Sequence, residues 1–211
     1  MAKIIVVANG KGGTGKSTLC IHIANYLTSL GKAVAVLDAD EGQTIVKMRE
    51  VETKGNPDAA VPWPVWKATT NGKGFMEKAK SMGDCYVLVD CPGTLNENLL
   101  PYFQSADTIV IPFKYNDVVI MRTMDFMKVL QMSHIEGKQL YLPNYIDVRV
   151  KYPNEEAIKD MFRRNGGAVL PRVRQSVVIE RVSTMRPIDE YQHNALEHTI
   201  DGILNVVGVT D

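Results

Sequence analysis

The feature that most constrains the fold is a 16-residue run near the N-terminus, in which an apolar segment passes directly into a glycine-rich one. Residues 3–8, KIIVVA, are almost all aliphatic, which is typical of a strand buried on both faces of a parallel sheet. Residues 9–18, NGKGGTGKST, hold four glycines and two lysines. Glycine lets backbone N–H groups approach a bound group closely, because no Cβ stands in the way. We therefore predict a strand, a ligand-binding loop and a helix in succession.

The loop matches the phosphate-binding pattern GxxxxGK[ST] at its four fixed positions, Gly10, Gly15, Lys16 and Ser17. Backbone N–H groups of such a loop surround phosphate oxygens, and the following helix adds the positive end of its dipole. The lysine reaches the β- and γ-phosphates, and the serine hydroxyl ligates Mg²⁺. A glycine-rich turn without a ligand is the alternative, although a chance match arises on the order of once per hundred chains of this size. The predicted nucleotide-binding residues of the loop are Gly10, Lys11, Gly12, Gly13, Thr14, Gly15, Lys16, Ser17 and Thr18.

Short apolar runs alternate with segments of helical periodicity along the rest of the chain. Helices are predicted from Ser17 to Leu30 and from Asn116 or Asp117 to about Met132. This alternation predicts an α/β fold, a single P-loop NTPase domain over residues 1–211 with a mostly parallel twisted sheet and helices on both faces. The predicted strands are 3–8, 33–38, 85–90, 107–112 and 138–144.

Two further segments are interpreted by their composition and pattern. Residues 55–66, rich in Pro and Gly, are predicted to be an exposed connection in which Trp63 and Trp66 serve packing. The apolar residues of the last helix are predicted to pack it onto the sheet, and they are Ile200, Ile203, Leu204 and Val207.

Composition excludes several classes of protein. Lys+Arg and Asp+Glu are both 24, so the formal net charge is zero and any binding of a polyanion requires a local patch. The three cysteines, Cys20, Cys85 and Cys91, form no CxxC pair, which argues against a zinc ribbon or a disulfide framework. No apolar leader precedes the first strand and no run approaches the ~20 residues of a membrane span. We expect a cytoplasmic protein.

Carboxylates stand at the ends of two predicted strands, where ligands of parallel sheets bind. Asp38 and Asp40 follow the second strand, and both are expected to face the phosphates. Asp90 ends the strand YVLVD and is expected to hold Mg²⁺ through a water, since Mg²⁺ gives up its waters reluctantly. Ser17 and Asp90 therefore belong to the predicted metal site.

The segment KGGTGKST resembles the deviant P-loop signature of the ParA/MinD-type ATPases, and the closest resemblance is to small ParA-like partition ATPases. The resemblance implies that Lys11 crosses a dimer interface to the partner's nucleotide. It also implies that Asp40 orients the attacking water and supports the metal, so Asp40 joins Ser17 and Asp90 in the predicted metal site. The implied catalytic residues are therefore Lys11, Lys16 and Asp40. The chain departs from the family's D-x-D-P-Q segment, because Glu41 and Gly42 replace Pro-Gln and Gln43 comes one position late.

The base of the nucleotide is assigned by the same resemblance, which implies adenine contacts from Asn144 and Pro171. GTP is the open alternative, but the segment NYID lacks the lysine of the [NT]KxD motif that recognises guanine. The expected cofactors are therefore ATP and Mg²⁺.

The C-terminal third bears on partners. Residues 149–187 hold nine basic and four acidic residues, an excess of five. The predicted DNA contacts are Arg163, Arg164, Arg172 and Arg174, against the alternative of a solvated face of mixed charge. The tail has no lysine or arginine after Arg186, so docking on a membrane through a basic helix is not expected. The cysteine arrangement of iron–sulfur relatives is absent.

The resemblance implies a slow Mg²⁺-dependent ATPase in plasmid, chromosome or mobile-element partitioning. Its ATP-bound homodimer is expected to bind DNA without sequence preference on the nucleoid, and a ParB-like protein is expected to stimulate hydrolysis. The alternative is a nucleotide-gated interaction switch with little turnover and no DNA binding, such as a conjugation accessory. The departure at Glu41 and Gly42 keeps this alternative open.

Overall fold

A computed structural model describes residues 1–68 and 72–208 of the chain. Its strands are β1 Lys3–Val7, β2 Val34–Asp38, β3 Val65–Lys67, β4 Tyr86–Asp90, β5 Thr108–Phe113, β6 Lys138–Pro143 and β7 Ala168–Val169. They form one seven-stranded sheet in the order β3-β2-β4-β1-β5-β6-β7. Each pair of neighbouring strands is parallel, which confirms the predicted α/β class. The carboxyl ends of the strands therefore all lie at one edge of the sheet.

The described part of the chain also contains helices that cover both faces of the sheet. They are α1 Lys16–Ser29, α2 Thr44–Gly55, α3 Gly72–Ser81, α4 Leu100–Ser105, α5 Asp117–Met132, α6 Glu155–Arg164, α7 Val177–Glu180 and α8 Glu190–Val207. A short 3₁₀ turn, Glu97–Leu99, precedes α4. In these residues no helix combines the length and the apolar character that crossing a bilayer would take.

Alternating side chains of the strands divide the core into two layers. Ile5 and Val7 of β1 belong to one cluster, with residues of α1, α2, α7 and α8. Ile4 and Val6 belong to the other, with residues of α3, α4, α5 and α6. Successive side chains of a strand point to opposite faces, so this division places helices on each face, as predicted.

Several local predictions are confirmed. Asn116 caps α5, and its side-chain oxygen accepts hydrogen bonds from the N–H groups of Val118 and Val119. Trp63 is buried with 1% of its surface exposed, and Trp66 packs on the second cluster. The four apolar residues predicted to pack α8 are all buried. The end of the tail, residues 209–211, lies outside the described residues.

The interpretation of residues 55–66 as a connection is wrong at its end. Residues Val65–Lys67 form the edge strand β3, in which Val65 pairs with Val36 of β2. Two prolines, Pro62 and Pro64, precede this strand, and three residues are too few to show an alternating pattern.

Candidate functional site

The glycine-rich loop joins β1 to α1 at the carboxyl edge of the sheet. Gly13 and Gly15 adopt positive φ angles of 75° and 86°. An L-residue with a side chain rarely adopts this left-handed conformation, so glycine is required at both places. Gly15 is the residue before Lys16, where α1 begins, and the free N–H groups of the helix therefore face the loop.

Lys16 lies inside the loop. Its side chain is buried, and its Nζ donates a hydrogen bond of 3.1 Å to the carbonyl oxygen of Lys11. Burial lowers the pKa of Lys16, while the nearby carboxylates of Asp90 and Asp40 act in the opposite direction. An amine in this position is ready to exchange its bond to the loop for one to a phosphate.

Lys11 has the opposite setting. It is exposed on the rim of the loop, and within the described residues its side chain forms no hydrogen bond or ion pair. Only its backbone takes part in the loop, through the carbonyl that accepts the bond from Lys16. The ammonium of Lys11 is therefore free for a group outside its own chain.

Asp90 is fully buried at the end of β4, which lies beside β1 in the sheet. Neither of its oxygens has a hydrogen bond of standard geometry within the described residues, although the Ser17 hydroxyl lies close enough to lower the pKa of Asp90. Burial raises the pKa of Asp90 to about 7, and the nearby Asp38 also raises it, while Ser17 and Lys16 lower it. A buried carboxylate without a partner, beside a hydroxyl, suits a hard cation that prefers oxygen ligands. These residues fit Mg²⁺.

Asp38 and Asp40 do not play the same part, which corrects the expectation that both face the phosphates. The carboxylate of Asp38 is buried and accepts hydrogen bonds from the N–H groups of Ile45, Val46 and Asp40 at 2.9, 3.1 and 3.2 Å. It anchors the start of α2. The carboxylate of Asp40 lies further out and accepts one bond of 2.9 Å, from the N–H of Gly42. Asp40 thus keeps acceptor capacity, and Asp38 holds the loop that carries it.

Gly93 brings the segment after Asp90 against the phosphate-binding loop. A Cβ atom on Gly93 would lie 2.6 Å from both the N and the Cα atoms of Gly12. Gly93 and Asp40 also line one cavity of about 770 Å³, although no residue of the phosphate-binding loop is in its wall. The segments that carry Asp40 and Gly93 therefore lie near each other, and Gly93 joins them to the loop at Gly12.

Asn144 supports the loop from the other side. Its side-chain Nδ2 donates a 2.8 Å hydrogen bond to the carbonyl oxygen of Thr14, and the residue is buried. Tyr145 follows with a left-handed backbone, φ 55°, which brings its ring against Gly15. Asn144 thus lies beside the phosphate-binding loop with its amide bonded to that loop, and its contact with adenine stays a prediction.

A cavity of about 440 Å³ adjoins this side of the loop. Besides Gly13 and Gly15, it is lined by Lys114, Tyr145, Gln175 and Glu180. The Nζ of Lys114 lies 4.9 Å from the centre of the Tyr145 ring, a cation–π distance. No local sequence pattern indicates these side chains, apart from the position of Tyr145 directly after Asn144 at the end of a strand.

Pro171 does not line that cavity. It lines another one, of about 900 Å³, which has no residue of the phosphate-binding loop in its wall. Its carbonyl oxygen accepts a 3.2 Å hydrogen bond from the Thr199 hydroxyl of α8. In this structure Pro171 is separated from the loop, so the adenine contact assigned to it by resemblance has no geometric support.

The four arginines predicted to contact DNA have different settings. Arg163 pairs with Asp160 at 2.8 Å and Arg172 pairs with Glu155 at 2.7 Å. Arg164 and Arg174 form no ion pair within the described residues. Because Arg163 and Arg172 are paired with carboxylates, the alternative of a solvated face of mixed charge fits these two arginines better than the prediction that they contact DNA.

Comparison with known proteins identifies the family. A family model described as the CobQ/CobB/MinD/ParA nucleotide binding domain matches residues 5–188. An iron–sulfur cluster carrier protein of Methanocaldococcus jannaschii is 30% identical, and the match covers 79% of this chain and 68% of that protein. A cytosolic Fe-S cluster assembly factor of Aspergillus terreus is 40% identical, but the match covers only 34% of this chain and 24% of that protein.

Solved structures share the fold at low sequence identity. A plasmid partition protein of Borrelia burgdorferi, bound to AMPPNP, has a TM-score of 0.74 and 14% identity, over 97% of this chain and 98% of the other. The septum site-determining protein MinD of Pyrococcus horikoshii, complexed with Mg-ADP, has a TM-score of 0.72 and 18% identity, over 99% and 98%. Since the family model covers most of the chain, the chain belongs to the CobQ/CobB/MinD/ParA nucleotide-binding domain family.

Proposed function

We propose that the chain is a Mg²⁺-dependent ATPase of ParA type that forms a homodimer around ATP. The observation that carries this proposal is the contrast between its two loop lysines. Lys16 is buried within the loop, whereas Lys11 is exposed on the rim and its side chain has no partner in the described part of its own chain. One lysine is enough to hold a phosphate within a protomer. Lys11 then supplies positive charge to the nucleotide of a second copy, as an arginine finger does in trans.

The cofactors of the proposed enzyme are ATP and Mg²⁺. The loop N–H groups and Lys16 bind the phosphates, and the base lies beside Tyr145 and Gln175. Ser17 and Asp90 hold the metal, Asp90 through a water. When bound, Mg²⁺ neutralises charge on the β- and γ-phosphates. Asp40 orients the attacking water with the acceptor capacity that Gly42 leaves free.

We further propose that the ATP-bound dimer binds DNA in partitioning and that a ParB-like protein stimulates hydrolysis. Support comes from the excess of five basic residues over 149–187 and from Arg164, which is exposed and has no ion pair within the described residues. The partition protein of Borrelia burgdorferi has the same fold. Contacts of this kind are to the phosphate backbone and weaken as salt increases.

A nucleotide-gated switch without DNA binding is the second candidate. It is favoured by the ion pairs of Arg163 and Arg172, which leave fewer cations for DNA, and by the departure from the family at Glu41 and Gly42. Cluster carriage, which the name of the archaeal relative suggests, has less support. Cys20, Cys85 and Cys91 are all buried, and residues 1–68 and 72–208 hold no cluster of three or more metal-ligating His, Cys, Asp or Glu side chains.

The proposal is tested by measuring mass in solution with ATP and Mg²⁺, with ADP, and without nucleotide. Wild type is expected to be dimeric only with ATP. Lys16→Ala is expected to lose nucleotide binding, and Lys11→Ala to bind ATP as a monomer. Lys80→Ala is a matched control, because Lys80 is exposed and its backbone bonds to Ala2 at the opposite edge of the sheet. Normal dimerisation of Lys11→Ala would refute the role in trans.

Single-turnover phosphate release, with and without DNA, then separates the ATPase from the switch.

A further inference from the structure

A second cavity, of about 900 Å³, opens between α6, the segment that follows β7 and the first half of α8. Its wall carries Lys159, Arg172, Arg174 and His198, and no acidic side chain of the described residues lines it. The chain as a whole has equal numbers of basic and acidic residues, 24 of each. A concave wall of one sign in a neutral chain concentrates positive potential, which attracts an anion.

Two of these cations are held in place from outside the cavity. One oxygen of Glu155, Oε1, accepts from Arg172 Nη2 at 2.7 Å and from Lys159 Nζ at 2.6 Å. Lys159 also pairs with Glu156 at 2.9 Å, and its side chain is only 17% exposed. Arg172 uses one of its five N–H donors in this way. A guanidinium that is already fixed loses little freedom when its remaining donors bind a phosphate in a bidentate manner.

The other two basic groups are free. Arg174 and His198 form no ion pair within the described residues, and both are exposed at the cavity. The acidic partners Glu155 and Glu156 offset the charges of Lys159 and Arg172 in part, so Arg174 contributes the uncompensated positive charge. The cavity thus combines a fixed guanidinium with a free one.

The shape of the cavity favours a small ligand. Its lining includes the apolar residues Leu170, Pro171 and Ala195, and its volume lies within the range of sites for small molecules. The phosphates of duplex DNA lie on the outside of a rod, which a concavity of this size does not admit. A molecule with a phosphate group and an apolar part matches both the cations and the apolar residues of the lining.

This cavity shares a wall with the nucleotide site. The segment after β7 pairs with the segment after β6, since the N–H of Val173 donates to the Pro143 carbonyl at 2.8 Å and that of Gln175 to Ile146 at 3.0 Å. Side chains alternate along such a segment. Arg172 and Arg174 therefore line the basic cavity, while Gln175, the next residue after Arg174, lines the cavity at the phosphate-binding loop.

We propose that the basic cavity is a second anion site, which binds a phosphate-bearing small molecule separate from the nucleotide of the phosphate-binding loop. The site depends on Arg172 and Arg174, and its ligand contacts the same segment that carries Gln175. This inference goes beyond the proposed ATPase and holds whether or not the chain hydrolyses ATP.

The test uses the full chain with Lys16→Ala, so that the first phosphate site is disabled, and inorganic pyrophosphate as the probe in calorimetry at low salt. Saturable binding to one site is expected, and adding Arg174→Ala is expected to weaken it at least tenfold. AMP is expected to bind more tightly than inorganic phosphate, because its adenine contacts the apolar residues that line the cavity. Arg163→Ala is the matched control, since Arg163 does not line the cavity, and it is expected to leave binding unchanged.

Arg172→Lys is a second variant that keeps the charge and removes the planar fork, and it is expected to weaken pyrophosphate binding less than Arg174→Ala. Thermal unfolding checks that each variant is folded. The proposal is overturned if pyrophosphate fails to bind in the Lys16→Ala background, or if Arg174→Ala and Arg163→Ala have equal effects. Displacement of pyrophosphate by a duplex oligonucleotide would also overturn it, because the arginines would then belong to a DNA surface.

Discussion

Gly93→Ala is the sharpest test of the contact between the phosphate-binding loop and the segment after Asp90. The added Cβ would lie 2.6 Å from the N and Cα atoms of Gly12 and 3.1 Å from the carbonyl carbon of Lys11. Carbon atoms in ordinary contact are about 3.5–4.0 Å apart, so one backbone segment must move by about 1 Å. Gly93 is not among the glycines with positive φ, so alanine meets no conformational penalty and the effect is steric alone.

The magnitude follows from that displacement. Overpacking of this kind costs about 1–3 kcal/mol of unfolding free energy, which urea denaturation measures. A displacement of about 1 Å in groups that position the reaction costs on the order of 100-fold in rate, so we expect steady-state ATP hydrolysis to fall by roughly that factor. Gly83→Ala is the matched control, since its Cβ would have no neighbour within 4 Å. The steric argument is refuted if Gly93→Ala hydrolyses ATP at the rate of Gly83→Ala.

The other predictions concern the carboxylates and the base. The pKa of Asp90, about 7 in the fold, lies above its value in the unfolded chain, so stability from this group is present below about pH 4 and is lost as pH rises through about 7. Without Mg²⁺ and nucleotide, the free energy of unfolding of Asp90→Asn in urea should therefore exceed that of wild type by up to about 4 kcal/mol at pH 8, and this difference should vanish at pH 4. An equal difference at both pH values would contradict this expectation. Asp40→Ala should retain the ATP-bound dimer in gel filtration with little phosphate release, whereas undiminished release would exclude water positioning by Asp40. Tyr145→Ala should weaken ATP binding about tenfold, because stacking of an aromatic ring on a base contributes about 1–3 kcal/mol. The same variant should leave the binding of tripolyphosphate, which has no base, unchanged. Tyr191→Ala is the control, because the Tyr191 side chain is 76% exposed.

The parts of the fold that the sequence predicts are those set by neighbouring residues. The succession of β1, loop and α1 depends on one aliphatic run and on glycines that take positive φ. The start of α5 depends on Asn116, whose side chain caps the helix two and three residues further on. Both interactions span only a few residues, so a local pattern is enough to find them.

The parts that were missed depend on contacts between distant residues. Tyr145 and Gln175 line one cavity because the segments after β6 and β7 pair, which no local pattern shows. The charge count over 149–187 likewise cannot show that Glu155 holds Arg172, 17 residues away. The edge strand β3 is defined by pairing with β2 rather than by its own three residues.

Asp38 and Asp40 show that two residues of one sequence pattern can have different structural roles. Two aspartates at a strand end predict a metal or phosphate site, and one of them, Asp40, remains available for it. The other, Asp38, accepts hydrogen bonds from the backbone N–H of Asp40 and from two N–H groups at the start of α2. The sequence cannot distinguish them, because the difference lies in how the chain turns after β2.

The hydrogen bond from Lys16 to the backbone of Lys11 has a consequence for how a protomer signals its state. The ammonium of Lys16 has three N–H donors, so it can bind a phosphate with or without releasing this carbonyl. The carbonyl belongs to Lys11, whose side chain is exposed. In the proposed role of Lys11 in trans, binding of the phosphate by Lys16 and the position of Lys11 are thereby linked through a single backbone carbonyl. Such a protomer needs no further structural element to transmit its nucleotide-bound state to a partner.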